Sequence, residues 1–197
     1  MTANMWNTGI PVGFSNGGTN ATTLATNTGI VKYDGTRLVT SATALLDAGN
    51  ISIKSSQPFF SAYKSAQTAN VTGEGTYYSY ICNTELYDVG GNYNNATGIF
   101  TAPVTGCYLF QASAGLGGIT IPYIFDILIV TTSSTYLERW SRPYNAQWYV
   151  SQIVTLANMT AGDTAKPQVR SYGEAAKTDD LEGNGDFRTG FQGYLLT

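Results

Sequence analysis

Histidine is absent from this chain of 197 residues. That removes the side chain used most often as a general base and as a metal ligand. The two cysteines, Cys82 and Cys107, are too few for a zinc cluster or a dense disulfide framework. Charge is scarce: Asp, Glu, Lys and Arg make up 12% of residues, about half the share usual in globular domains. The net charge is −3, from 10 basic and 13 acidic residues, and no basic stripe is present. Nucleic acid is therefore not expected as a partner, since phosphate contacts need clustered Lys and Arg. The most apolar run, 121–130, is short and is interrupted by Pro122 and Asp126. Membrane insertion is not expected from it. Residues 1–31 have neither the basic start nor the apolar core of a secretory signal, so synthesis without export is expected.

Tyr, Thr, Asn, Ser and Gly fill the place of the missing charge. Tyr and Thr suit a pleated, half-buried surface, and Asn and Gly suit turns. Helix-rich domains instead carry Glu, Lys and Arg on their outer faces. No window of twelve or more residues has a clean 3.6 period. From residue 56 onward, short β-prone runs recur at 59–63, 77–82, 85–87, 99–101, 106–113, 123–131, 136–140, 148–156, 165–171 and 187–196. Gly, Pro and Asn separate them, as in a sandwich or jelly roll. Residues 1–55 read differently. Their first 31 are neutral and rich in Asn, Thr and Gly, with spaced apolar anchors at Met5, Trp6, Ile10, Val12 and Phe14. This is either a loose tail or an arm that gains order by docking on a neighbour. Asp34-Gly35 and Gly49-Asn50 predict turns between two or three short strands. The chain thus divides into an N-terminal arm, 1–55, and an all-β antiparallel sandwich, 56–197.

A specific pattern lies within 83–109 and just beyond. Asn83, Leu86, Asp88, Gly91, Tyr93 and Asn94 precede Thr97-Gly98-Ile99-Phe100-Thr101-Ala102-Pro103-Val104-Thr105-Gly106-Cys107-Tyr108-Leu109-Phe110. Phe59-Phe60-Ser61-Ala62-Tyr63 comes earlier, Ala161-Gly162-Asp163 later, and Phe191-Gln192-Gly193-Tyr194-Leu195-Leu196 closes the chain. In this order the blocks resemble the globular-head domains of complement and the related tumour necrosis factor-like jelly rolls. The resemblance covers about 57–197. It implies a homotrimer, with Phe59, Tyr93, Phe100, Tyr108, Phe110, Phe191 and Tyr194 as core or trimer signature residues. The alternation agrees: Tyr108 and Phe110 alternate with Cys107 and Leu109, so both faces of that strand are apolar and both call for burial. No collagen-like stem is present. Residues 27–39 resemble, more weakly, arms that precede such domains in virion proteins of phages and large DNA viruses.

Candidate sites have competing readings. Asp126, within Ile-Phe-Asp-Ile-Leu-Ile, reads as a structural carboxylate neutralised by an arginine such as Arg139 or Arg142. Asp179, Asp180, Glu182 and Asp186 fall in a Gly-rich stretch around 178–185, which reads as a solvated acidic loop or as a site for a hard cation such as calcium. Trp140, Tyr144 and Trp148, near Asn145 and Gln147, either stack a sugar ring or serve packing. The Asn-x-Ser/Thr triplets at Asn20, Asn70, Asn95 and Asn158 are what an Asn- and Thr-rich chain contains by chance. No acid/base pair for glycoside hydrolysis is found, so no enzyme activity and no cofactor is expected. The expectation is a trimeric virion protein assembled in the host cytoplasm. It either decorates the capsid by gripping the major capsid protein or tips a tail fibre or spike that recognises a host-surface glycan or protein.

Overall fold

Every regular element among the described residues is a β-strand. The structure, a computed structural model, describes residues 57–119, 123–142, 148–185 and 187–196, together with the backbone of four short strands within 30–52. Two units separate along the chain, Met1–Ser56 and Gln57–Thr197. In the first, β1 (Ile30–Tyr33) pairs antiparallel with β2 (Leu38–Ser41), and β3 (Leu45–Asp47) with β4 (Asn50–Ser52). There are four strands here where two or three were expected. The anchors Met5, Trp6, Ile10, Val12 and Phe14 lie outside the described residues.

The second unit contains β5 (Phe59–Tyr63), β6 (Thr68–Thr72), β7 (Tyr78–Ser79), β8 (Thr84–Val89), β9 (Tyr93–Asn94), β10 (Ile99–Thr101), β11 (Gly106–Gly117), β12 (Tyr123–Thr131), β13 (Thr135–Arg142), β14 (Trp148–Met159), β15 (Thr164–Tyr172), β16 (Asp179–Leu181) and β17 (Gly190–Leu195). They form two antiparallel sheets. One runs β13-β12-β15-β10-β9, with β7 also on β15. The other runs β6-β16-β11-β17-β5-β8, with β14 on the free side of β11. Packed face to face, they make the jelly roll that the sequence pattern implies. Three differences from the expected strands are informative. β11 and β14 run on past their apolar stretches because they pair with each other over their full length, from Gly106↔Met159 to Gly117↔Trp148. The run expected at 187–196 starts only at Gly190, and Phe187 stands before it at φ 62°, exposed. The small strands β6, β9 and β16 have no apolar alternation long enough to announce them.

The core is aromatic. Phe60 stacks on Tyr93 and Phe100 at centroid distances of 4.8 and 5.0 Å and meets the edge of Phe191 at 5.0 Å. Phe110 stacks on Phe191 at 5.8 Å and meets Phe100 edge-on at 5.5 Å. The opposite sheet contributes Phe125, Ile127, Ile129, Ala165 and Val169. Each buried phenol reaches a backbone carbonyl, so burial leaves no hydroxyl stranded. Tyr80 donates to Ser113 O at 2.9 Å, Tyr93 to Cys82 O at 2.9 Å, and Tyr108 to Val104 O at 2.7 Å. Gly98 supplies the tight turn before β10 at φ 73°, where a Cβ would stand 2.8 Å from the Tyr80 carbonyl oxygen. Gly193 lets β17 pass beneath the cluster, since a Cβ there would lie 2.5 Å from the Phe110 ring and 3.0 Å from the Phe60 ring.

This packing predicts the effect of two substitutions. Gly193→Ala overpacks rings that have nowhere to retreat and lowers unfolding free energy by about 1–3 kcal/mol. Phe60→Ala opens a cavity in the same place and costs about 3–5 kcal/mol. Urea unfolding followed by tryptophan fluorescence measures both. Midpoints equal to that of the natural chain would contradict the packing described.

Candidate functional site

The sheet containing β11 has one face in the core and one that no other described element of the second unit covers. On the uncovered face the strands register into rows. Phe59 on β5 pairs with Tyr194 on β17, Tyr194 with Leu109 on β11, and Leu109 with Leu156 on β14. Tyr87 on β8 joins at the end, its ring 6.0 Å from that of Phe59. Exposure is high for such side chains: Tyr87 62%, Val154 55%, Leu156 54% and Tyr194 43%. A shallow groove of about 650 Å³ runs between Phe59, Tyr87, Leu109, Gln192 and Tyr194. Isolated exposed apolar residues need no explanation, but a contiguous row of them marks an interaction surface.

The seven signature residues therefore divide between two roles. Tyr93, Phe100, Tyr108, Phe110 and Phe191 fill the core, whereas Phe59 and Tyr194 lie on the uncovered face. Phe60, the neighbour of Phe59 in the first strand block, is the central ring of the core. The two-faced reading of β11 fits its alternation: Tyr108, Phe110, Ala112 and Ala114 are buried, and Cys107, Leu109 and Gln111 half-buried on the other side.

The thiols differ in the same way. Cys82 is buried, and desolvation pushes its thiol up to about 12, although Lys64 and the Tyr93 hydroxyl act against that shift. Cys107 is half-buried, and both cysteines are free.

On the other sheet, Asp126 lies wholly buried beneath two guanidiniums. Arg139 Nε and Nη2 donate to its two oxygens at 2.7 and 3.0 Å, and Arg170 Nη2 donates to Oδ2 at 2.6 Å. Register explains the trio, since Asp126 stands opposite Arg139 on β13 and opposite Arg170 on β15. Burial alone would raise the Asp126 carboxyl, but the hydrogen bonds and charges of the two arginines hold it below its ordinary value. Arg170 is clasped between the rings of Tyr77 and Tyr172, 3.9 and 4.4 Å from their centroids. Of the two arginines considered from sequence, Arg139 is the partner. Arg170, 44 residues along the chain from Asp126, carries no local sequence signal, and the Arg142 side chain lies outside the described residues.

The solvated acidic loop is not what the structure contains. Asp179 and Leu181 are buried on β16, and Asp179 accepts from Ser171 Oγ at 2.5 Å. Burial raises the Asp179 carboxyl. Asp180 accepts from Gln67 Nε2 at 2.7 Å and from the Asn70 backbone N–H at 2.8 Å. Glu182 is buried against Gly115 and Gly117. The three carboxylates thus serve different partners, and among the described residues no group of three potential metal ligands forms. Asp186 lies outside those residues. Trp140 and Trp148 are both exposed but stand on strands of different sheets, with no ring contact between them; Tyr144 lies outside the described residues.

Two facing antiparallel sheets around an aromatic core, with one apolar outer face, define an antiparallel jelly roll. The chain belongs to the C1q domain family, whose model matches residues 60–196. Among solved structures it is similar to murine APRIL, at 11% identity and a TM-score of 0.50, covering 71% of this chain and 99% of that one. It is also similar to the globular domain of zebrafish complement 1qA protein, at 17% identity and a TM-score of 0.49, covering 71% and 98%. A sequence search of curated proteins gives no match. Domains of this family are commonly trimeric and generally bind rather than catalyse.

Two measurements follow. Asp126→Asn removes the charge that both arginines need and lowers stability by about 3 kcal/mol at neutral pH. Because the folded-state carboxyl titrates below the unfolded one, its contribution is present above the ordinary aspartate range and is lost as pH falls through the folded value. The variant's stability should therefore fall less steeply on acidification, as urea midpoints across that range would report. A thiol reagent at mildly alkaline pH should label Cys107 in the isolated protomer and leave Cys82 untouched until the chain is unfolded. Equal labelling of both would contradict the burial of Cys82.

Proposed function

We propose that this protein is a homotrimeric virion surface protein whose jelly-roll head is displayed and whose residues 1–55 attach it to the capsid. The observation that carries the trimer is the uncovered row Phe59–Tyr194–Leu109–Leu156, in a domain whose family is commonly trimeric. Packing that row against a second copy removes its apolar area from water, the main driving force of association. The arm assignment rests on composition. Residues 1–31 carry no charge and several spaced apolar anchors, which suits a segment ordered by adding backbone hydrogen bonds and apolar contacts to a neighbour, here the major capsid protein. Three arms on one trimer act together, so modest affinity per arm gives firm attachment. Assembly would take place in the host cytoplasm. That compartment keeps thiols reduced, in keeping with two free cysteines.

A second reading, a tail-fibre or spike tip that recognises a host glycan or protein, draws on the exposed rings of Trp140 and Trp148. In that case the arm would not be the anchor to the capsid.

The trimer is tested by sedimentation of the full chain beside Leu156→Glu. The natural chain should sediment as a trimer and the variant as a folded monomer, because Leu156 is exposed in the protomer. A monomeric natural chain would remove the trimer. The arm is tested by mixing with particles that lack the protein, comparing the full chain with one beginning at Ser56. The shortened chain should remain trimeric and fail to bind. Equal binding would favour the receptor-binding reading.

A further inference from the structure

The uncovered face of the β11 sheet is apolar in one row and polar in the next. One pleat along from Phe59–Tyr194–Leu109, the same three strands bring Ser61, Gln192 and Gln111 into register. Their hydrogen bonds run in a single direction. Ser61 Oγ donates to Gln192 Oε1 at 3.3 Å, Gln192 Nε2 to Gln111 Oε1 at 2.7 Å, and Gln111 Nε2 to Gln152 Oε1 at 3.2 Å. The chain of bonds crosses β5, β17 and β11 and ends on β14. Each amide oxygen is used once. Among the described residues the terminal amide nitrogen, Gln152 Nε2, donates to no acceptor, and the strand on which it sits pairs with no strand but β11. Exposed Val150 and Val154 flank Gln152 on the same face of β14.

On a face left in water such a ladder would have no purpose, since water serves each amide as well. On a face covered by another molecule it matters. A buried amide without a partner is destabilising, and a linked set is tolerated only when every member is satisfied. The ladder satisfies its oxygens from within the protomer and leaves one donor at a fixed place on the edge strand. A cover that slides along the apolar rows would strand that donor, and a cover in the right register supplies its acceptor. In coiled coils a single polar side chain in an apolar seam selects register and subunit number in this way, at some cost in stability.

Resting on the homotrimer reading, we propose that the Ser61–Gln192–Gln111–Gln152 ladder sets the register and subunit number of that contact, with Gln152 Nε2 donating to an acceptor on a second copy of this chain. In a ring of copies related by rotation the contact is head-to-tail, so one such bond forms at every interface.

The test uses the full chain, sedimentation velocity over a dilution series, and native mass spectrometry. Gln111→Leu cuts the ladder in the middle, leaving Gln192 Nε2 and Gln152 Oε1 without partners under the cover. It should weaken association by about tenfold or more. Replacing Gln111, Gln152 and Gln192 together by Leu removes all three amides of the ladder and leaves only the small Ser61 hydroxyl at its outer end. That triple variant should associate at least as tightly as the natural chain but distribute among several sizes instead of one. Circular dichroism checks that the protomers are folded. Should the triple variant precipitate, Gln111→Leu decides the matter by itself. A Gln111→Leu protein that forms one trimeric species with the natural dissociation constant would overturn the ladder's role while leaving the trimer standing. A natural chain that is monomeric at all concentrations would remove the trimer reading and this proposal with it.

Discussion

A strand with apolar side chains on both faces and hydrogen bonds on both edges places a demand on whatever lies to each side of it. β11 is such a strand. Tyr108 and Phe110 on its inner side gather Phe60, Phe100 and Phe191 around them, and that cluster sets the spacing of the two sheets. Gly193 lies in the neighbouring strand because the Phe110 ring occupies the space a Cβ would take. β14 is as long as β11 because it completes the hydrogen bonds of its far edge. On the outer side, Leu109 places the same demand on whatever meets the protein there. The aromatic core and the uncovered row are two answers to one requirement.

The opposite sheet meets its polar demands with charge. Asp126 is fully buried, and only the bidentate grip of Arg139 and the support of Arg170 make that tolerable. Arg170 is in turn held flat by two tyrosine rings, so the carboxylate is fixed from both sides. In a chain with so few charges, three of them meet at one point on the outer surface of one sheet. Asp179 works in the opposite electrostatic sense: burial raises it, and its share of stability is lost as pH climbs through its folded value.

The aromatic core was legible in sequence because alternation along one strand reports which side is buried, and Tyr108 and Phe110 carry that signal without help from elsewhere. The same reasoning named Phe59 where Phe60 does the packing. Two adjacent phenylalanines are ambiguous until the register with β17 is known. The pairing of Asp126 with Arg139 was within reach because a short hairpin connects them. Arg170 was not, since it comes 44 residues later and is brought alongside only by the order of strands. The acidic stretch misled for a related reason: Asp179 and Glu182 look solvated in one dimension, and a three-residue strand between β6 and β11 buries them. Gln111, Gln152 and Gln192 are unremarkable as single residues. Only the alignment of three strands turns them into a continuous line.

The exposed row of Phe59, Tyr194, Leu109 and Leu156 also carries a thermal signature. Apolar burial near room temperature is driven by entropy and fades as water is cooled, and with no charge in the row, added salt has little to screen. Any assembly that relies on this surface is looser in the cold than in the warm and indifferent to moderate changes in ionic strength. An association through this row is thereby tied to the temperature of the surroundings more than to their ionic strength.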